Sequence, residues 1–162
     1  MDRAKLTYFS LFAGAGGLDL GFKSEGFVSL GASDIMKESR DTFSLNYPDE
    51  PFLHKDIRLI TGQDILEITS NQIPDIIIGG PPCQGFSVMG DKNTSDPRND
   101  LFKSYVRIVQ ELDPKCFVFE NVTGFKSMLK GQYMNMVTEA FSYIGYDIYF
   151  KILNAADYGV PQ

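Results

Sequence analysis

Cys83 is the residue of this chain best placed to do chemistry. It stands in GGPPCQGFS (79–87), behind Pro81 and Pro82 and just after the apolar run Ile76-Ile77-Ile78. A free thiol has a pKa near 8.5, so only a few per cent is thiolate at pH 7, and full ionisation costs roughly 2 kcal/mol unless the site helps. Two prolines fix two φ angles and remove two N–H groups, which aims a thiol with little chain entropy left to lose. The single histidine, His54, ends a different predicted strand beside Asp56 and is no evident base for a cysteine hydrolase. Cys-x-x-Cys is absent, so a redox pair is not indicated. The readings that remain are a thiolate adding to an electrophilic ring and a buried small hydrophobe, the commoner fate of a cysteine. For Cys116, which opens CFVFE, the buried reading is the expectation.

Glu120 closes FVFE and is followed by Asn121. A carboxylate carried so far into apolar sequence is expected to be desolvated, with a raised pKa suited to protonating or hydrogen-bonding a substrate. A strand-end acid that caps the next helix is the equal alternative.

A second group of residues points to a nucleoside. LFAGAGGLDLGF (11–22) leaves an apolar run and opens a helical one, and Asp34 follows Gly14 by twenty residues, the offset at which dinucleotide folds place a ribose-binding carboxylate. The third glycine of G-x-G-x-x-G is replaced by Asp19. A carboxylate in the first helical turn takes the positive end of the helix dipole and repels a pyrophosphate, but it tolerates a cationic cofactor. S-adenosylmethionine, with a sulfonium, an ammonium and no phosphate, meets that description better than NAD. A tight turn followed by a helix-start acid explains the same residues without any ligand.

The elements that must position these residues alternate. Apolar runs at 6–12, 28–33, 52–55, 75–78, 116–119 and 146–153 are separated by helix-like stretches from about Gly17, over 36–46, 99–112 and 128–143, with a long loop after Ile78. Strand and helix in this rhythm predict an α/β fold with a mostly parallel sheet and helices on both faces. Ligands of such sheets bind outside the carboxyl ends of the strands. Phe12 with the glycines, Asp34, Asp56, Cys83, Glu120 and Asn154 with Asp157 follow the six runs in turn, so the unusual residues converge on one end.

Composition bounds the rest. A chain of 162 residues can bury about 70% of its unfolded surface, enough for one core. No apolar stretch approaches a membrane span, no secretory leader pattern precedes the first run, and two cysteines with one histidine make neither a disulfide framework nor a metal site, which points to the cytoplasm. Acidic residues outnumber basic ones 21 to 15, a net charge of -6, so a nucleic-acid substrate would need most of its phosphate contacts from elsewhere.

FSLFAGAGGLDLGF, GGPPCQGFS, DPRNDLF, FENVTGF and LNAADYGVPQ, in this order, resemble the cytosine C5-methyltransferase family, mainly its DNA-modifying members. The resemblance covers nearly the whole chain. It implies the Rossmann-like fold of S-adenosylmethionine-dependent methyltransferases and one catalytic domain over 1–162. Phe12, Ala13, Gly14, Gly16, Gly17 and Pro81 would contact S-adenosylmethionine, Asp34 and Ile35 would hold its ribose and cover its adenine, and Asp56 and Ile57 would meet the adenine amino group and ring. Cys83, presented by Pro82, would attack C6 of cytosine, Glu120 would hold N3 and N4, and Asn121 would brace the Pro-Cys turn. The loop Gln84 to Arg98, with Lys92, would close over a flipped base. Family members continue beyond the equivalent of Gln162 with an Arg-x-Arg segment, a further strand and a target-recognition domain. A complementing C-terminal chain or domain is therefore an expected partner beside DNA, and the target sequence is not readable from these residues. A noncatalytic cofactor-binding module and a tRNA methyltransferase are the other readings.

Overall fold

The computed structural model describes residues 5–82 and 101–160, the side chains of 128–130 excepted. Cys83, the loop Gln84 to Arg98 with its Lys92, and Gln162 lie outside the described residues. The chain divides into two compact units, Met1–Asn121 and Val122–Gln162.

The first unit is built on β1 (Thr7–Leu11), β2 (Val28–Asp34), β3 (Phe52–His54), β4 (Ile76–Gly79) and β5 (Cys116–Phe119). All four pairings are parallel and the order is β3-β2-β1-β4-β5. Between the strands run α1 (Gly17–Ser24), α2 (Lys37–Asn46), α3 (Gly62–Ile68) and α4 (Leu101–Leu112). The chain therefore winds from β1 outward to β3, returns to place β4 on the other side of β1, and continues to β5. The seam between β1 and β4 is a topological switch point, where two neighbouring strands send their connections to opposite sides and leave a crevice at their carboxyl ends.

β1 and β4 are buried along their whole length, the pattern of central strands covered on both faces. Tyr8, Ile76 and Ile78 pack with Leu18 and Phe22 of α1 and with Phe27 on one face. On the other face Tyr105 of α4 meets Phe117 and Phe119 edge-on, with ring centroids 6.3 and 5.4 Å apart. Helices thus cover both faces, as the rhythm of the sequence predicts.

Two local readings in this unit are corrected. The stretch 61–68 contains α3, which the alternation of apolar runs does not reveal. Its cue is the capping box Thr61-x-x-Asp64, in which the Thr61 hydroxyl accepts from the Asp64 N–H and the Asp64 carboxylate accepts from the Thr61 N–H. Cys116 is exposed rather than buried, because β5 is an edge strand and its first residue has strand cover on one side only. Partial burial and the nearby Asp75 carboxylate push its thiol pKa up, away from nucleophilic character.

The second unit holds a 3₁₀ stretch (Thr123–Gly131), α5 (Gln132–Tyr143) and a short 3₁₀ turn (Ala155–Tyr158). The predicted single helix 128–143 is therefore broken. Gly131 sits at φ 87°, a left-handed conformation that ends the first segment and starts the second. Residues 146–153 form no strand: a strand exists only in a ladder, and this segment has none among the described residues. Tyr149, Phe150, Ile152 and Leu153 are exposed along it. Asn154 accepts from the Ala156 N–H at 3.1 Å and caps the final turn, and Asp157 lies within that turn.

Candidate active site

The glycine loop begins with a strained residue. Phe12 has φ 55°, uncommon for any side chain and costly for a bulky one, by about 1–3 kcal/mol. Its backbone is over-determined by its neighbours. The Ala13 N–H donates to the Ser33 carbonyl at 3.0 Å, and the Gly14 N–H donates to Asp34 Oδ2 at 3.0 Å. Asp34 Oδ1 accepts from the Met36 N–H at 2.8 Å. The twenty-residue offset between Gly14 and Asp34 is thus realised as a direct contact, with acceptor capacity left on both oxygens for a ribose. Ile35 beside it is 56% exposed, so its apolar surface is open to a ring.

Two residues at the end of α2, outside the motifs singled out above, hold the loop from behind. Asn46 Nδ2 donates to the Ala15 carbonyl at 2.9 Å, and the Tyr47 hydroxyl donates to the Gly16 carbonyl at 2.9 Å. Gly16 has φ 87°, and a Cβ there would collide with the Tyr47 ring. Only glycine serves at this position, both for its backbone and for the space. These contacts span 31 residues, and no local pattern announces them.

A cleft of about 410 Å³ opens at the switch point. Ser10, Leu11 and Phe12 supply the β1 side, Gly79 and Gly80 the β4 side, Ala13, Gly17 and Leu18 one end and Glu120 another. This volume is in the range of small-molecule sites, and the position is where open α/β sheets bind ligands. Phe12, Ala13, Gly17 and Glu120 are brought together here as the sequence suggests. Ser10, Leu11, Leu18, Gly79 and Gly80 were not anticipated. The two glycines have a steric reason: a Cβ on Gly79 would run into the Leu11 carbonyl, and one on Gly80 would stand 2.6 Å from Glu120 Oε2. A Gly-Gly pair closing an isoleucine run is the cue that could have found them.

Glu120 corrects its expectation. It is exposed at the end of edge strand β5 rather than desolvated, since its side chain borders the open cleft. Its N–H donates to the Gly79 carbonyl at 3.0 Å, which holds the residue against the exit of β4. Next to it, Asn121 Nδ2 donates to the carbonyl of Pro81 at 3.0 Å. Pro81 is buried and Pro82 half-buried, so the approach to Cys83 is tied to the end of β5.

Asp56 and Ile57 lie after β3 and do not line the cleft. Arg58 holds the Asp56 carboxylate through its backbone N–H and its guanidinium, and this contact lowers the Asp56 pKa. Ile57 is only 6% exposed, a core residue more than a ring contact. His54 Nε2 meets the Ile35 carbonyl at 2.9 Å, which joins the end of β3 to the loop after β2 and keeps Ile35 in register with Asp34.

Asp19 is the least expected feature. It is completely buried, accepts from Ser10 Oγ at 3.0 Å through Oδ2, and its Oδ1 has no hydrogen-bond partner among the described residues. Burial pushes its pKa up to about 6, and Glu50 adds to the rise. A buried carboxylate behind the cleft wall disfavours a phosphate-bearing ligand and suits a cationic one. With the acceptor Asp34 and the open apolar Ile35, the donor set fits S-adenosylmethionine. Among the described residues no group of three His, Cys, Asp or Glu could hold a metal ion, and no helix is long and apolar enough to cross a membrane.

Residues 6–162 match the model of the C-5 cytosine-specific DNA methylase family. The chain belongs to that family. Over 160 residues it is 43% identical to the Type II methyltransferase M1.HphI of Haemophilus parahaemolyticus, covering 97% of this chain and 43% of that protein. It is 44% identical over 164 residues to the Type II methyltransferase M.AquIA of a Picosynechococcus strain, covering 94% of this chain and 66% of the relative. Among solved structures it is similar to a putative DNA modification methyltransferase encoded within an E. coli prophage, with a TM-score of 0.73 and 34% identity over 86% of this chain and 38% of that one. The chain thus spans about two fifths of the length of M1.HphI.

Proposed function

We propose that this chain carries the cofactor-binding and catalytic portion of an enzyme that transfers a methyl group from S-adenosylmethionine to C5 of cytosine in DNA. The observation that carries the reading is the switch-point cleft, which unites Phe12, Ala13 and Gly17 of the glycine loop with Glu120. In this reading S-adenosylmethionine supplies an electrophilic methyl group, and the chain supplies everything that makes cytosine able to accept it. Asp34 takes the ribose, Ile35 covers the adenine, and Asp56 meets the adenine amino group. The backbone of the glycine loop and Pro81 border the rest of the cofactor.

Cytosine C5 is a weak nucleophile. The Cys83 thiolate adds to C6, the C5–C6 π electrons become available at C5, and that carbon takes the methyl group. Glu120 hydrogen-bonds N3 and N4 and stabilises the charge that develops on the ring. A base then removes the C5 proton, the C5–C6 double bond re-forms, and the thiolate leaves. Asn121 holds Pro81, and Pro82 presents Cys83. The exposure of Glu120 suits this task, since a flipped base must reach it from solvent at a cost of a few kcal/mol for unstacking.

DNA recognition belongs to a complementing C-terminal chain or domain, because the -6 net charge of this chain is a poor match for a phosphate backbone. The reaction is placed in the cytoplasm, as a modification activity of restriction-modification type. A duplex carrying 5-fluorocytosine at the target tests the chemistry, because fluorine cannot leave as the C5 proton does. A stable covalent adduct that Cys83→Ser abolishes is the expected result, and adduct formation by Cys83→Ser refutes the assignment.

A further inference from the structure

The cleft wall hides a charge that no basic side chain in the described structure balances, Ser10 and the first turn of α1 compensating it only in part. Asp19 has no exposed surface, its Oδ1 has no partner, and it belongs to none of the ion pairs. The one basic side chain nearby on its own helix, Lys23, is committed to Glu50 and stacks over the Tyr47 ring, 4.5 Å from the centroid. The groups that face Asp19 are otherwise neutral or acidic. They are Ser10 and Tyr8 of β1, whose hydroxyls donate to Oδ2 and to its carbonyl, and Tyr47 and Glu50 after α2. Ser29 of β2 adds a hydroxyl to Tyr8.

Burying a carboxylate without a cation is costly, and a fold retains one where something else supplies the compensation. Asp19 lies directly behind the cleft, since its hydrogen-bond donor Ser10 and its chain neighbours Gly17 and Leu18 all line it. We propose that Asp19 is a specificity-determining residue, whose buried negative charge makes the cleft prefer the sulfonium form of the cofactor over the neutral thioether left after methyl transfer. The inference rests on the S-adenosylmethionine reading above. Its logic is a change of one charge: when the methyl group leaves, sulfur keeps the bonding pair and becomes neutral, the attraction to Asp19 disappears, and the product is bound less tightly. Ammonium and carboxylate are common to both forms, so the difference isolates the sulfur. For one charge acting across a partly apolar wall, a preference of about tenfold is the expected order of magnitude.

The test is calorimetric titration of the complete enzyme and its Asp19→Asn variant with S-adenosylmethionine and with S-adenosylhomocysteine. The expected result is about a tenfold fall in the affinity ratio of the two ligands in the variant, caused by weaker S-adenosylmethionine binding with S-adenosylhomocysteine little changed. In the unaltered enzyme the ratio should also shrink as pH falls below 6, where Asp19 takes up a proton. A purely structural role would weaken both ligands together and leave the ratio constant with pH, and that result overturns the inference. Binding of neither ligand by the unaltered enzyme overturns the inference and the cofactor reading together. Binding of both with an unchanged ratio overturns the inference alone. Should Asp19→Asn fail to fold, the pH dependence of the ratio in the unaltered enzyme decides.

Discussion

Asn121 donates its side-chain amide to the carbonyl of Pro81 at 3.0 Å, across 40 residues of chain, and so fastens the end of β5 to the stiff exit of β4. The residue after the proposed base-binding acid thereby positions the peptide that leads to the proposed nucleophile. Asn121→Ala should remove this bond at a cost of about 0.5–1.5 kcal/mol in stability. Its effect on the rate of adduct formation with a 5-fluorocytosine duplex should be larger, about tenfold or more, because a small misplacement of a nucleophile is amplified in rate. Urea denaturation and trapping kinetics on the same variant measure the two effects; an unchanged trapping rate would remove Asn121 from the positioning machinery.

The adjacent glycines Gly79 and Gly80 should respond differently to the same methyl group. Gly79→Ala drives a Cβ into the Leu11 carbonyl, a backbone atom of the central strand that cannot move aside. A stability loss of about 2–4 kcal/mol is expected. Gly80→Ala meets the end of the flexible Glu120 side chain, which can swing away. Its fold should survive within about 1 kcal/mol while the carboxylate leaves its place and methyl transfer collapses. Paired thermal unfolding and methyl-transfer assays distinguish the two.

Asp34 serves the backbone and the proposed ribose contact at once. Asp34→Asn keeps an oxygen that can accept from one of the two N–H groups, whereas Asp34→Ala leaves both the Gly14 and Met36 N–H groups without it. S-adenosylmethionine affinity should fall in the order wild type, Asn, Ala, with the alanine variant weaker by about tenfold or more. Equal affinities across the three by calorimetric titration would exclude Asp34 from the cofactor site.

Asp19 makes a pH prediction for stability that is independent of any ligand. Its folded pKa is about 6 against an ordinary value of 3.8, so the folded state holds the proton more tightly than the unfolded state. Stability from this residue is highest below pH 4, is lost as pH rises between about 4 and 6, and stays lost above. The loss amounts to roughly 3 kcal/mol at most. Asp19→Asn should accordingly be more stable than wild type at pH 7 to 8, with the difference vanishing near pH 4. Taking the difference between the two proteins cancels the opposite contributions of Asp56, Asp64 and Asp75, whose pKa values are lowered by their partners. A variant that is equally destabilised at every pH would contradict the buried-charge account.

Much of this molecule is legible along the chain because the relevant physics is local. Alternation of buried apolar runs with amphipathic stretches yields the five strands, and the offset from Gly14 to Asp34 is a property of one strand-helix-strand unit, so spacing alone carries it. The motif set around Cys83 and Glu120 is likewise contiguous. What lies beyond local pattern depends on which surfaces meet. Cys116 and Glu120 sit in an apolar run that reads as buried, yet β5 ends the sheet and leaves them exposed. Residues 146–153 have strand composition but form no strand, because a strand is a property of a pair. The clamp of Asn46 and Tyr47 on the glycine loop, the steric need for Gly79 and Gly80, and the complete burial of Asp19 beside Ser10 all join segments remote in sequence or opposed across a helix and a sheet. Residue types and their spacing determined the chemistry this chain can attempt. The order of the strands, and with it the position of β4 beside β1, decided where that chemistry has a cleft to occur in.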